Sequence, residues 1–346
     1  MGSVKVVNLV IDDYGNYLGM EKGCIILKDR KGKVQRFPLF EQEIGEVVLC
    51  SGNMVSTGVL ATLGFWQVDV LITTRNGRPI AMLKSLEDDA HVKTRISQYE
   101  ALKNGKGMEV AKKIVLARVL GQNEVLKKYG LRQLDVIGVK EALERLECDS
   151  LRSLRKRLLL IESHSSRKYF REIFQLFPSD LRPEKRSTYL AYDGINNLFN
   201  LAYELLFWKC YRALSKAHLE THLGFIHTLA FGRPSLVCDF MEIYRYLVED
   251  FLLGYAKTLK PKDFKAETVM VGEKKGKRIY LKKAKTKELT KKLFEFFKVK
   301  VKVPRVRHGE KQEIESLVTE EAFLLAKYLR NERKSWNPRI ASLQLS

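Results

Sequence analysis

The chain has 346 residues, enough for two domains with cores of their own, and 45% of them are hydrophobic. Its formal net charge of +21, from 62 Lys and Arg against 41 Asp and Glu, favours a polyanionic partner, nucleic acid before a membrane surface. No apolar run approaches the length of a membrane span, and five scattered cysteines without a CxxC pair argue against a cysteine zinc site. Reduced cysteines and the lack of a signal-peptide pattern lead us to expect a cytoplasmic protein.

Residues 1–87 predict strands and turns. Strand-like runs occur at residues 4–10, 24–27, 34–39, 46–50 and 68–74, with one short helix at 57–66. The charged stretch 28–33 between two of these runs predicts a hairpin turn. This region holds no nucleotide-binding fingerprint and no cluster of acids or histidines. We therefore expect a small β-rich domain, used for dimerisation or partner docking, that ends near Leu86–Asp89.

From His91 onward the pattern becomes helical, with Val110, Ile114, Val115 and Val119 at helix spacing. Helices are predicted at 152–177, after an Asp193 cap to about 211, at 285–297 and at 314–330. A hairpin is predicted around residues 272–277, and a loose tail from 330 to 346. The predicted fold class is α+β: the β-rich domain of residues 1–87, then a larger all-α catalytic domain, residues 88–346, with a basic C-terminal part.

The most informative stretch runs from Ala217 to Arg245. We expect Ser235 to cap a helix on which Asp239 and Glu242, three residues apart, share one face with Arg245 further along. His227 lies just before this helix. The simplest explanation is a solvated, ion-paired helix face. The apolar residues between the acids favour a buried helix instead, where carboxylates need a partner or a metal ion.

The positive charge is concentrated in two segments. Between Lys260 and Arg307 there are 18 Lys and Arg against 5 Asp and Glu, and Arg152–Arg171 holds seven basic residues with Glu162 as its one acid. Such segments predict contacts with DNA phosphates that do not read sequence. The candidate DNA-binding residues are Arg167, Lys168, Arg186, Arg245, Lys282, Lys283, Lys285 and Lys287.

Four segments together resemble the CRISPR-associated integrase family, the metal-dependent nuclease subunit of the spacer-acquisition complex. They are IESHSSRKYF (161–170), RSTYLAYDGINNLFNLAYELL (186–206), LGFIH (223–227) and RPSLVCDFMEIYR (233–245). The resemblance implies that Glu162, His227 and Glu242 are catalytic metal ligands, with Asp239 as a catalytic acid beside them. Whether Asp239 or Glu242 contacts the metal directly is open, and we favour Glu242.

The resemblance also implies the reaction and the partners. The cofactor would be Mg²⁺ or Mn²⁺, which suit a site of two carboxylates and one imidazole. With water as nucleophile the reaction is DNA cleavage; with a DNA 3′-hydroxyl it is strand transfer, which inserts short foreign DNA fragments into a CRISPR array. The expected partners are double-stranded and branched DNA, a second copy of the chain, and the small partner subunit of the acquisition complex, with no membrane.

Two alternatives come from other classes of protein. A non-catalytic, basic nucleic-acid-binding scaffold explains the charge but not the acids and histidine. A zinc hydrolase could use His218 and His222, which are spaced i, i+4. Against it, the glutamate that zinc proteases carry directly after the first histidine is replaced here by Leu219.

Overall fold

The computed structural model combines a strand-rich N-terminal region with a largely helical C-terminal part. It describes residues 5–39, 42–66, 68–75, 77, 79–83, 92–188, 191, 193–228, 233–271, 274–303 and 311–343. The chain divides into two compact units: Met1–Asp89 with Thr286–Thr290, and Ala90–Lys285 with Lys291–Ser346. The predicted boundary at Leu86–Asp89 lies outside the described residues.

The first unit contains two four-stranded sheets in its described part. Its elements are β1 Lys5–Ile11, β2 Tyr17–Glu21, β3 Cys24–Lys28, β4 Val34–Pro38, β5 Gln42–Cys50, β6 Met54–Val55, α1 Thr57–Phe65, β7 Val70–Thr73 and β8 Pro79–Leu83. One sheet has the order β1-β5-β7-β8, with parallel pairs between β1 and β5 and between β5 and β7, and β8 antiparallel at the edge. The other has the order β4-β3-β2-β6, in which β2, β3 and β4 form an antiparallel meander.

These sheets enclose one apolar core. Val47 and Ile25 are fully buried, and Val59 and Leu63 of α1 pack into the same cluster. Branched residues dominate because they pack well on a pleated, half-buried surface. The hairpin predicted at residues 28–33 is present, since β3 and β4 pair antiparallel across it. Strands β2, β6 and β8 were not predicted.

The second unit is built on long helices. Its described helices are α2 Val92–Ala101, α3 Lys106–Lys128, α4 Val136–Glu144, α5 Leu151–Ile173, α6 Gly194–Lys216, α7 Ser235–Met241, α8 Arg245–Ala256, α9 Lys283–Phe296 and α10 Ile314–Leu329. Helix α3 packs against α5 and α8, and α6 packs against α7, α8 and α10. Asp193 caps α6 as predicted, because its carboxylate accepts the Asn196 amide proton at 2.7 Å.

One glycine permits the close approach of α3 and α8. A Cβ atom added at Gly121 would lie 2.4 Å from the Tyr246 ring, well inside van der Waals contact. Tyr246 is fully buried there, and its hydroxyl exchanges hydrogen bonds with the backbone of Ala341 at 2.7 and 3.0 Å. The lack of a side chain at Gly121 therefore allows the two helices to pack tightly.

Three expectations about the second unit are wrong. The unit is not all-α, because β9 (Phe264–Val271) pairs with β10 (Lys274–Leu281) and β11 (Lys300–Lys302) with β12 (Lys311–Glu313). The predicted hairpin is present, but its second strand begins at Lys274, so Lys277 lies on strand β10 and not in the turn. The C-terminal tail is packed and not loose in its described part, residues 331–343.

The packing of that tail rests on one buried aromatic residue and one buried acid. Trp336 is 1% exposed and donates its indole N–H to Glu321 at 2.6 Å. Arg339 donates to the same carboxylate at 2.8 Å. The short segment has no periodic pattern of polar and apolar residues that would predict this packing, which depends on α10.

Candidate active site

The loop that carries His227 is gathered around one carboxylate. Helix α6 ends at Lys216, and residues 217–228, which follow it, form a non-helical segment. Asp239 of α7 accepts backbone N–H groups from three residues of this segment, Phe225 at 2.5 Å, Ile226 at 2.8 Å and His227 at 2.9 Å. The Asp239 side chain is fully buried. Three amides directed at one buried carboxylate fix the path of the loop.

The same carboxylate orients the histidine ring. Asp239 Oδ1 lies 2.6 Å from His227 Nδ1. A carboxylate at this position favours the tautomer that protonates Nδ1 and leaves Nε2 as the lone-pair nitrogen, an arrangement that supports metal ligation by Nε2. Since both Asp239 oxygens already accept hydrogen bonds, the structure gives this residue an orienting role. That favours Glu242 as the acid that would contact a metal ion directly.

Glu242 lies where α7 ends. The predicted continuous helix through Arg245 is interrupted at residues 242–244, where the amides of Glu242, Ile243 and Tyr244 bond three residues back, a tight 3-10 geometry. Ser235 is the first helical residue and donates its hydroxyl to the Thr228 carbonyl at 3.0 Å, so the predicted Ser235 cap is wrong. The interruption places Glu242 at a turn, 7% exposed.

Two arginines partner the Glu242 carboxylate. Arg245 Nη1 lies 2.8 Å from Oε1, and Arg118 Nε lies 3.5 Å from Oε2. Burial raises the pKa of Glu242, against the opposing effect of Arg245 and Arg118. Oε2 is buried and makes no hydrogen bond. A buried carboxylate oxygen without a hydrogen bond is the kind of atom that a cation would satisfy.

Glu162 comes from α5, on a third segment of the chain. Its Oε1 accepts the Ser166 hydroxyl at 2.6 Å, and Ser166 in turn accepts the side-chain amide of Gln122 at 2.9 Å. Gln122 is fully buried on α3. These two hydrogen bonds fix one oxygen of Glu162 through Ser166 to the buried Gln122.

The predicted ligands share one electrostatic environment, since the charges of Glu162 and His227 both act on the pKa of Glu242. In the part of the chain that the structure describes, no three His, Cys, Asp or Glu side chains form a ready metal-binding group. Glu242 pairs with two arginines, and Glu162 accepts a hydrogen bond from Ser166. The donor set, two carboxylates and one imidazole with an unbonded Glu242 oxygen, still fits a hard divalent cation.

A buried network behind Glu242 was not predicted. Arg118 is 2% exposed, and its Nη2 donates to Glu249 Oε1 at 2.7 Å; the Tyr203 hydroxyl donates to the same oxygen at 2.5 Å. Burial lowers the pKa of Arg118, but Glu249, Tyr203 and Glu242 raise it by a larger amount, so Arg118 stays protonated. The sequence did hold a signal: Arg118 interrupts the apolar stripe of α3 at core spacing.

Comparison with known proteins decides the family. The family model described as CRISPR associated protein Cas1 matches residues 9–295. The chain belongs to the Cas1 family. It is 29% identical over 282 residues to the CRISPR-associated endonuclease Cas1 1 of Archaeoglobus fulgidus, covering 74% of this chain and 81% of that one. It is 27% identical over 287 residues to the CRISPR-associated endonuclease Cas1 of Korarchaeum cryptofilum, covering 78% and 83%.

Solved structures show the same fold. A casposase bound to integration product superposes with a TM-score of 0.79 at 19% identity and covers 99% of this chain and 95% of its own. A Cas1 protein from Thermotoga maritima superposes with a TM-score of 0.69 at 19% identity, covering 94% and 97%. The Cas1 fold is thus present over nearly the whole chain.

The candidate DNA-binding residues of this Cas1-family chain differ in their surroundings. Arg167 and Lys168 are exposed on α5, and Lys282 and Lys283 are exposed at the start of α9. Lys285 is half-buried. Phosphates can reach these side chains. Their role in DNA binding stays a prediction.

Three of the candidates are already engaged. Arg186 donates to the side-chain carbonyls of Asn196 and Asn200, each at 2.8 Å, and burial lowers its pKa. Arg245 pairs with Glu242, and its guanidinium lies 4.7 Å from the centre of the Tyr203 ring. Lys287, in the first unit, pairs with Asp13 at 2.9 Å and Asp12 at 3.4 Å, and the bond to Asp13 raises its pKa. Arg186 is therefore held by side chains of the protein, and Arg245 and Lys287 already form ion pairs with acidic side chains.

The structure removes the basis of the zinc hydrolase alternative. His218 has φ 57°, a left-handed conformation just after α6 ends, and His222 follows in the same non-helical segment. His222 Nδ1 lies 3.2 Å from the Thr221 hydroxyl and 3.3 Å from Glu220. Since the two histidines do not lie on a helix, their i, i+4 spacing does not place them on one face where they could bind zinc together.

Proposed function

We propose that this chain is a metal-dependent DNA endonuclease and integrase that inserts short foreign DNA fragments into a CRISPR array. The observation that carries the proposal is the oriented His227: its Nδ1 is held by Asp239, and it lies in the same field as Glu162 and Glu242. Membership of the Cas1 family supports it, because the curated relatives are named endonucleases and a structural neighbour is bound to an integration product.

Glu162, His227 Nε2 and Glu242 would hold Mg²⁺ or Mn²⁺. When bound, such an ion activates a hydroxyl nucleophile and stabilises the charge that develops on the phosphodiester oxygens. The protein supplies the arrangement. Asp239 sets the ring of His227, the Gln122–Ser166 relay sets Glu162, and Arg245 and Arg118 pair with Glu242 and oppose the rise in its pKa that burial causes.

DNA is held by charge on the exposed face of α5. The basic residues exposed there are Arg152, Lys156, Arg157, Arg167, Lys168 and Arg171. They lie on the helix that also carries Glu162. Such contacts bind double-stranded and branched DNA without reading sequence.

The first unit, which carries no candidate catalytic residue, would pair two chains into a homodimer and dock the small partner subunit. One structural neighbour, described as a Cas6-RT-Cas1–Cas2 complex, has a TM-score of 0.73 at 20% identity and covers 99% of this chain and 37% of its own. None of the described helices is both long and apolar enough to cross a bilayer. We place the protein in the cytoplasm with its CRISPR array.

Alanine substitution of each proposed ligand tests the function. Glu162→Ala, His227→Ala and Glu242→Ala should each abolish cleavage of branched DNA in Mg²⁺ or Mn²⁺, while circular dichroism and DNA affinity stay near wild type. Full activity in one variant removes that residue from the site. DNA binding without cleavage by the wild-type protein returns the chain to the non-catalytic scaffold alternative.

A further inference from the structure

A second device holds the His227 loop from the side opposite Asp239. Arg155 of α5 donates Nε to the Phe225 carbonyl at 2.9 Å and Nη2 to the Gly224 carbonyl at 2.7 Å. Two successive carbonyls thus receive the two arms of one guanidinium. Arginine suits this task because its donors have a fixed, planar geometry that lysine lacks.

The loop backbone is therefore clamped on both sides. Its carbonyls at 224 and 225 bind Arg155, and its amides at 225–227 bind Asp239. A Cβ at Gly224 would lie 2.8 Å from Asp239 Oδ2 and 2.8 Å from the backbone carbon of Ser235. The close approach of loop and carboxylate thus depends on a glycine.

Arg155 and Glu162 lie on one face of α5. They are seven residues apart, two helical turns or about 10 Å along the axis. The helix that carries Glu162 therefore also grips the loop that carries His227. We propose that Arg155 is a positioning residue that sets His227 relative to Glu162, an inference that rests on the proposed function of these two residues.

The surroundings of Arg155 distinguish it from its basic neighbours. Arg152, Lys156 and Arg157 are exposed, whereas Arg155 is half-buried with two donors committed to the loop. Burial lowers the pKa of Arg155, while the buried Asp239 carboxylate raises it. Its positive charge thus also compensates Asp239 inside the protein, which a phosphate-binding residue would not do.

The test compares Arg155→Gln and Arg155→Lys with Arg157→Gln, which removes one charge from the exposed face of the same helix. Hydrogen exchange of the amides at 225–227 reports the clamp directly. Mn²⁺ binding without DNA, followed by electron paramagnetic resonance, reports the site. DNA cleavage gives kcat and KM separately.

For Arg155→Gln we expect exchange at 225–227 to accelerate at least tenfold and the Mn²⁺ dissociation constant to rise about 10- to 100-fold, the range for weakened ligand support. The value of kcat should fall with KM for DNA within twofold, and Arg155→Lys should recover part of each loss. Arg157→Gln should raise KM alone.

Unchanged exchange and unchanged Mn²⁺ affinity in Arg155→Gln overturn the proposal, as does a profile that matches Arg157→Gln. If Arg155→Gln does not fold, Arg155→Lys decides by the same two measurements. If the wild-type protein binds no Mn²⁺, the proposed function is wrong. The exchange experiment still tests whether Arg155 holds the loop.

Discussion

Asp239→Asn is the most informative single substitution, because one carboxylate supports the whole His227 loop. Oδ2 accepts the Phe225 and Ile226 amides, and Oδ1 accepts the His227 amide and faces its ring. An asparagine keeps one acceptor oxygen. If its NH₂ group replaces Oδ2, it faces the Phe225 and Ile226 amides. If it replaces Oδ1, it faces the His227 amide and can bond the ring only in the tautomer that leaves Nδ1 unprotonated. The variant therefore loses one or two hydrogen bonds to a charged acceptor, at about 1.5–3 kcal/mol each.

The expected cost is thus about 1.5–6 kcal/mol, a large part of the stability of a typical domain. For a unit of this size each kcal/mol lowers Tm by about 2–4 °C, so Tm should fall by about 3–24 °C. DNA cleavage measured well below the new Tm should fall about 10- to 100-fold, because the histidine loses its orienting partner.

The matched control is Asp135→Asn. Asp135 caps α4 by accepting the Gly138 amide at 2.9 Å in an exposed position, and asparagine caps a helix about as well as aspartate. Thermal unfolding and cleavage should therefore barely change. A Tm within about 2 °C of wild type together with full cleavage in Asp239→Asn would refute the idea that this carboxylate organises the site.

Three further predictions concern DNA binding and stability. Replacing Lys282 and Lys283 by glutamine should flatten the slope of log K for DNA against log salt by about 0.9 for each phosphate that these lysines neutralise. Fluorescence anisotropy measures this slope, and an unchanged slope would show that the two lysines do not contact DNA. Trp336→Ala should cost about 3–5 kcal/mol and lower Tm, because the tail then leaves a cavity against α10; a neutral result contradicts its buried position. Burial raises the pKa of Glu249, but Arg118 and Tyr203 lower it more, so its stabilisation is present above its unfolded pKa of about 4.3 and is lost as pH falls through the lower folded value. The Tm deficit of Glu249→Gln should accordingly be largest near neutral pH and shrink below pH of about 4, whereas a constant deficit would exclude a charge effect.

Periodicity in the sequence predicted the long elements well. The helices near 152–177, 285–297 and 314–330 correspond to α5, α9 and α10 within a few residues. The 28–33 hairpin and the Asp193 cap are also present. These features depend on local propensity and on one apolar face, which a single sequence displays.

Features that depend on tertiary packing could not be predicted from the sequence. The break at residues 242–244 follows no glycine or proline, and it places Glu242 against Arg118 and Arg245. Trp336 becomes part of a core only because Glu321 and α10 surround it. Pairing between distant segments has no local signature, so motif order could identify the candidate ligands but could not separate the role of Asp239 from that of Glu242.

We propose that this chain joins DNA by attack of a 3′-hydroxyl at the site of Glu162, His227 and Glu242. The most direct measurement is joining of a labelled DNA end to a branched or array-like target, with a 3′-hydroxyl end and a 3′-deoxy end compared in Mg²⁺ or Mn²⁺. We expect a covalent product only from the 3′-hydroxyl end, and none with EDTA or with Glu242→Ala. Joining of the 3′-deoxy end, joining in EDTA, or an active Glu242→Ala protein would contradict metal-dependent attack by the 3′-hydroxyl at this site.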